Sequence, residues 1–168
     1  MATPVVVMGV SASGKSVVGQ RLATALRIPF VDGDDLHPPS NVAKMRAGEP
    51  LTDADRAPWL DAIGSELAQR EVVVACSALK VVYRERLRHT ADRPIRFVHL
   101  DVREDELRRR IETRTDHFMP SSLLRDQLET LEWPGDEPDV VILAADQEID
   151  RVVADAIAAV TPEVPPRQ

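Results

Sequence analysis

The chain has 168 residues, 43% hydrophobic and 29% charged, with a net charge of −7. That length suits one globular domain, 1–168, whose core needs no covalent staples, and the single cysteine, Cys76, excludes an internal disulfide and fits a reducing, cytoplasmic setting. The negative balance excludes bulk attraction to nucleic acid or anionic membrane, and no apolar run approaches the ~18 residues of a membrane span.

The first residues carry no basic stretch ahead of a long apolar run, so no secretory leader is expected. Val5 to Met8 is β-branched, short and bounded by Pro4 and Gly9, which predicts a buried parallel strand. A helix is expected over Lys15 to Leu26, with Val18, Leu22, Ala25 and Leu26 on one stripe. Further strands are expected at Ile28 to Val31, Val72 to Cys76, Ile95 to Leu100 and Val140 to Leu143. Helices fall between them near 53–70, 79–89, 103–114, 121–131 and 148–160. Thr52-Asp53-Ala54-Asp55 opens the first of these with a capping pattern, Asp55 being shorter than the usual Glu or Gln. Strands alternating with helices predict a parallel α/β sheet covered on both faces. The connection from Asp32 to Leu51 is longer than packing needs, and the helix near 121–131 is expected to stand apart from the sheet, with connections Thr115 to Ser122 and Glu132 to Asp139 on either side. The Pro-rich end, 161–168, is expected to be extended.

Gly9-Val10-Ser11-Ala12-Ser13-Gly14-Lys15-Ser16 fits G-x-x-x-x-G-K-[ST], with a strand before it and a helix after it. Glycines let successive N–H groups turn inward as an anion nest, and the helix N-terminus adds partial positive charge. Gly9, Ser11, Ala12, Ser13, Gly14, Lys15, Ser16 and Val17 are the candidate nucleotide contacts, built to hold a triphosphate. Lys15 is expected on the terminal phosphates and the Ser16 hydroxyl on Mg²⁺. The guanine signature N-K-x-D is absent, and no strand ends in an obvious metal-binding acid of the usual kind, since the third finishes at Cys76-Ser77.

That acid is sought in "FVDGDDLHP", at the carboxyl end of the second strand, where open α/β sheets bind ligands. Asp34 is the candidate that orients an acceptor hydroxyl and takes its proton, and Asp32 the candidate metal ligand; an acidic turn capping the next helix is the bland alternative. His37, Lys44 and Arg56 lie near the same mouth as candidate substrate contacts, although a lone loop histidine or a solvated cation is ordinary. Arg56 stands one turn into a helix, where a cation opposes the dipole, which favours a ligand role. Ser77, Lys80 and Arg84 follow the third strand, Lys80 and Arg84 sharing a helical face suited to a substrate carboxylate. Cys76 reads as a small buried hydrophobe. In "RRRIETRTDHFMP", Arg110 and Arg114 share a face at the entry to a lid spanning about 114–132, placed to close on the nucleotide; Arg114 is the candidate catalytic cation beside Lys15 and Asp34.

Taken together, "GVSASGKS", "DGDDLHPPSNVAKMRAGEPLTDADRAPWL", "CSALKVVYRERLR" and "HFMPSSLLRDQLETLEWP" closely resemble the gluconokinases of the shikimate-kinase-like P-loop group, over about Val5 to Val160. The resemblance implies a three-layer sandwich with a five-stranded parallel sheet of order 2-3-1-4-5, ATP-dependent phosphorylation of D-gluconate to 6-phosphogluconate, an Mg²⁺ requirement and a homodimer. It also implies Asp34 as the hydroxyl-facing acid and Arg110 and Arg114 as lid arginines. Two positions depart from the family pattern: Ala12 stands where glycine is usual, and Val17 where threonine often follows the serine. Shikimate kinases proper carry a glycine triplet after the third strand, where this chain reads "CSALK". A kinase for another sugar acid or polyol, and a nucleotide-sensing module without chemistry, remain alternatives; the joint presence of Lys15, Ser16, Asp34 and the lid arginines weighs against the second.

Overall fold

The computed structural model describes residues 2–114 and 121–162. The elements in order are β1 (Val5–Met8), α1 (Lys15–Leu26), β2 (Phe30–Asp32), a short 3-10 helix (Gly33–Leu36), α2 (Pro39–Arg46), α3 (Asp53–Gln69), β3 (Val73–Ala75), α4 (Val81–Ala91), β4 (Arg96–Asp101), α5 (Glu104–Thr113), α6 (Ser121–Thr130), β5 (Val140–Ala144) and α7 (Ile149–Val160). The strands form one parallel sheet of order β2-β3-β1-β4-β5. Because all run the same way, Met8, Asp32, Ala75, Asp101 and Ala144 end at one edge, and the long connections leave from there.

Both faces of the sheet are covered. Val5, Val7, Val98 and Leu100 pack with Leu22 of α1, Leu107 of α5, Leu124 of α6 and Val152 of α7. Val6, Met8, Val74 and Phe97 face Trp59, Leu60, Ile63 and Leu67 of α3 and Leu87 of α4. Alternation along β1 therefore feeds two separate cores, which is why the strand is apolar throughout.

Strand and helix ends fall within two residues of expectation, and the shift at the start of β2 has a local cause. Arg27 caps α1 in the left-handed conformation and Ile28 N–H bonds the Ala23 carbonyl, so Ile28 closes the helix, and pairing with β3 begins at the Pro29 carbonyl, which accepts from Val73 N–H at 2.9 Å. On α1 the buried positions are Val18, Gly19, Leu22 and Ala23, and Ala25 is exposed, contrary to the expected stripe. The capping box at α3 forms as expected: Asp55 N–H donates to Thr52 Oγ1 at 3.1 Å and Thr52 N–H to Asp55 Oδ2 at 2.9 Å.

Two elements differ from expectation. Helix α2 occupies part of the long Asp32 to Leu51 connection, where no helix was expected; Pro39 starts it and buried Asn41 pins it by donating to the Asp55 carbonyl at 2.9 Å. Helix α6 does not stand apart, because Leu124 is fully buried and Leu128 and Leu131 pack on the same core as α1. The lid residues 115–120 and the last six of the expected tail, 163–168, lie outside the described residues.

Candidate active site

The turn after β1 takes its shape from residues without bulk. Gly9 has φ 148°, and a Cβ there would meet Ser13 Oγ at 2.8 Å and the Leu100 carbonyl oxygen at 3.1 Å. Gly14, at φ 97°, caps α1. Ala12 holds φ 65°, the left-handed region, at the position where relatives were expected to carry glycine. An alanine holds this conformation at some cost in strain. Ser13 Oγ is buried without a partner among the described residues, a second sign that the loop serves something besides packing.

A cavity of about 190 Å³ opens over this turn, lined by cradle residues including Gly14, Lys15, Ser16 and Val17, and facing them by Asp32, Asp34 and Arg114. Lys15 Nζ folds back to the Val10 carbonyl at 3.0 Å, and burial pulls its pKa below the ordinary range, Asp34 chiefly opposing. Burial and then the Asp32 carboxylate push the Asp34 carboxyl above its ordinary range, the Lys15 ammonium pulling the other way. Both shifts come first from burial, each partner's charge opposing the other's shift, and a lysine and a carboxylate desolvated together in one cavity are a candidate functional pair. Asp32 caps the 3-10 helix by accepting from Asp34 N–H at 3.0 Å, so the bland reading is true of Asp32 in addition. Its other oxygen accepts from Ser16 Oγ at 3.0 Å. A hydroxyl beside a carboxylate suits Mg²⁺, which prefers few protein oxygens and keeps its remaining places for phosphate and water.

Next to Asp34, His37 stacks on Trp59 with ring centroids 4.3 Å apart, and Trp59 Nε1 donates to the Gly33 carbonyl at 2.7 Å. Burial lowers the His37 pKa, with Asp34 and Arg56 both close enough to act on it. Arg56 Nη1 donates to the Leu51 carbonyl at 2.7 Å and to the Tyr83 hydroxyl at 3.2 Å, with the guanidinium 5.5 Å from the Tyr83 ring centre. Tyr83 in turn donates to Asp53, which also accepts from Lys80 at 3.1 Å. Asp34, His37, Arg56, Tyr83 and Lys80 thus form one polar wall beyond the cradle. Tyr83 was not legible as part of it, because its partners come from α3.

Other expected contacts are placed elsewhere. Arg84 is fully buried: Nε and Nη2 reach Glu137 at 3.0 and 2.6 Å, Nη1 reaches the Ala78 and Leu79 carbonyls, and Nη2 the Glu132 carbonyl. With every nitrogen engaged inside the protein, it is a structural anchor and not a substrate contact. Lys44 pairs with Asp55 at 2.8 Å, tying α2 to α3. Ser77 is half-buried, and its carbonyl accepts weakly from Gly9 N–H at 3.4 Å. Burial pushes the Cys76 thiol up to about 12, which makes it inert.

The two arginines of α5 also part company. Arg114, at the helix C-cap, lines the smaller cavity, whereas Arg110 Nη1 donates to the Ala12 carbonyl at 3.1 Å and Nη2 to the Ala145 carbonyl at 2.8 Å. Arg110 thereby joins the outside of the cradle to the loop before α7. It borders a second cavity of about 690 Å³, whose lining also includes Ser13, Gly14, Ala145 and Gln147. The β5–α7 side of that cavity carried no sequence signal, since its lining residues are ordinary polar and apolar types. A further residue escaped the sequence reading: Gln127 of α6, whose Oε1 accepts from Ser11 N–H at 2.6 Å.

A phosphate cradle after the central strand of a 2-3-1-4-5 sheet, with acids at the neighbouring strand end, is the architecture of a P-loop kinase. Comparison with known proteins narrows the class. The Shikimate kinase family profile matches residues 11–160. A gluconokinase of Gluconobacter oxydans (strain 621H) is 50% identical over 158 residues, covering 90% of this chain and 88% of that protein. The thermoresistant gluconokinase of Escherichia coli (strain K12) is 41% identical over 161 residues, covering 92% and 91%. The crystal structure of a gluconokinase from Sinorhizobium meliloti 1021 superposes with a TM-score of 0.86 at 51% identity, over 95% of this chain and 91% of that one. The chain belongs to the shikimate-kinase family and, within it, to the gluconokinases.

Proposed function

We propose that the protein transfers the terminal phosphate of ATP to D-gluconate, yielding 6-phosphogluconate. The observation that carries this reading is the single cavity in which Lys15 and the cradle face Asp34. Phosphoryl transfer needs positioning and charge neutralisation more than covalent chemistry. The cradle amides and Lys15 hold and neutralise the phosphates, Asp34 orients the acceptor hydroxyl and accepts its proton, and Arg114 adds positive charge at the rim. Ser16 and Asp32 are the residues that would hold Mg²⁺, which when bound neutralises charge on the phosphate oxygens. The larger cavity bordered by Arg110 is the place for the nucleoside. His37, Arg56 and Lys80 form the side on which a polyhydroxy acid can be recognised, a carboxylate pairing with the cations and hydroxyls with the polar wall.

A homodimer belongs to the same reading, as does a cytoplasmic location; among the described residues no helix is long and apolar enough to cross a membrane. The test is a coupled assay with ATP, Mg²⁺ and a panel of gluconate, shikimate, other sugar acids and polyols, followed by identification of the phosphorylated carbon. Gluconate should be turned over best and carry phosphate on its terminal primary carbon. Preference for another acceptor would overturn the substrate, and no nucleotide turnover with any acceptor would overturn the kinase.

A further inference from the structure

Helix α6 reaches both halves of the site. At one end the Glu132 N–H just beyond it donates to the Leu79 carbonyl at 2.8 Å, and Glu132 Oε1 accepts from Val81 N–H at 3.2 Å. Those bonds hold the loop after β3, which carries Ser77 and Lys80. In its middle, Leu124 is fully buried on the core beneath the cradle, alongside Val10 and Ala12. On the same side Gln127 Oε1 takes the Ser11 N–H at 2.6 Å, a contact between residues 116 apart in sequence.

Ser11 was expected among the phosphate donors, and it does line the smaller cavity. Its N–H, however, already has a neutral protein acceptor. Because an N–H can only donate, the carboxamide oxygen must be the atom that faces it, so the orientation of Gln127 is set. A short, half-buried bond of this kind holds the first limb of the cradle in one shape. The limb's carbonyls are held by Lys15 Nζ on Val10 at 3.0 Å and Arg110 Nη1 on Ala12 at 3.1 Å, while its own turn, Ser13 N–H to the Val10 carbonyl, measures 3.3 Å, so the Ser11 amide depends on Gln127.

We propose that Gln127 is a positioning residue for phosphoryl transfer, acting through the Ser11 amide to keep the cradle in register with the acceptor-side loop that α6 also holds. The proposal rests on the kinase reading above. Misplacement of reacting groups by as little as 1 Å can cost about a hundredfold in rate. Loss of this acceptor should therefore lower kcat, while substrate KM, set by other groups, changes little.

Gln127→Met keeps length and bulk but removes the acceptor, and Gln127→Glu restores an acceptor. In nucleotide-free protein, Ser11 amide exchange in Gln127→Met should quicken by about fivefold, the effect of one ordinary hydrogen bond. Its kcat should fall about tenfold or more, with gluconate KM within about threefold and the melting temperature lowered by no more than about 4 °C. Gln127→Glu should recover most of that kcat while raising the KM for ATP, since a carboxylate then stands among amides meant for phosphate. The proposal is overturned by unchanged Ser11 exchange in Gln127→Met, by a kcat within twofold of wild type, or by a loss that Gln127→Glu does not repair. If wild type ignores gluconate, the substrate reading alone falls; amide exchange and the rate of ATP hydrolysis need no acceptor and still decide the role of Gln127.

Discussion

Replacing Asp34 with asparagine separates chemistry from binding. The substitution is nearly isosteric, and the backbone N–H of residue 34 still donates to Asp32 Oδ1, so the 3-10 turn should persist. What disappears is the carboxylate that would take the acceptor's proton. A positioned general base contributes about 10²–10⁴-fold, or roughly 3–5 kcal/mol of transition-state stabilisation. ATP affinity should hold, because the cradle amides and Lys15 are untouched. Stability should move the opposite way. The folded-state pKa of Asp34 is raised above its unfolded value, so the folded protein binds the proton more readily. Its contribution is fully present below the unfolded pKa and is lost as pH rises through the raised one, leaving a buried, costly charge at neutral pH. Asp34→Asn removes that cost, so the variant should melt no lower than wild type at pH 7. The acid limb of the wild-type kcat profile, displaced upward by the raised pKa, should vanish in the variant. Steady-state kinetics from pH 4 to 9, nucleotide titration and thermal melts give the three readouts. Turnover within tenfold of wild type, with the acid limb intact, would refute the assignment of Asp34 as the base.

Arg84→Met should lower stability by about 3–5 kcal/mol, since it strands buried carbonyls and half of the Glu137 pair, and drop the melting point by about 10 °C. A tenfold rise in gluconate KM without any thermal shift would instead restore Arg84 as a substrate ligand. His99 is buried with neither ring nitrogen bonded among the described residues, and burial, aided by Arg84, lowers its pKa to about 4. The unfolded chain therefore binds the proton first, and stability should fall as pH drops from about 6.5 toward 4, by about 1.4 kcal/mol per pH unit. Denaturant titrations at pH 6.5 and 5 should show a loss of about 2 kcal/mol that His99→Leu abolishes; equal slopes in both proteins would dismiss the effect. Ala12→Gly should relieve left-handed strain of about 1–2 kcal/mol against an entropic cost of about 0.5–1, raising the melting point by up to about 3 °C with ATP binding retained. A lower melting point would mean the alanine conformation carries no strain.

Much of the site was legible because its signals are local. A β-branched run, two glycines with a lysine and serine at fixed spacing, and a pair of acids after the next strand each report a backbone constraint or a charge within a few residues. The α3 capping box was legible for the same reason. Helix α2 was not, because a segment rich in proline and charge has weak periodicity and is held by Asn41 reaching across to Asp55. Arg84 was misread since a sequence shows a guanidinium's charge but not where its partners come from. Here Glu137 and Glu132 lie about fifty residues away.

The chain's own order of residues thus determined the parallel α/β plan, the anion cradle and the acids beside it, since each arises from short-range sterics and hydrogen bonding. Tertiary packing alone decided which cations face the cavity, that Arg110 and Arg114 serve different cavities, and that α6 docks so Gln127 meets Ser11. Those outcomes depend on which distant groups compete for each buried donor, and only closing the sheet between its helix layers settles that competition.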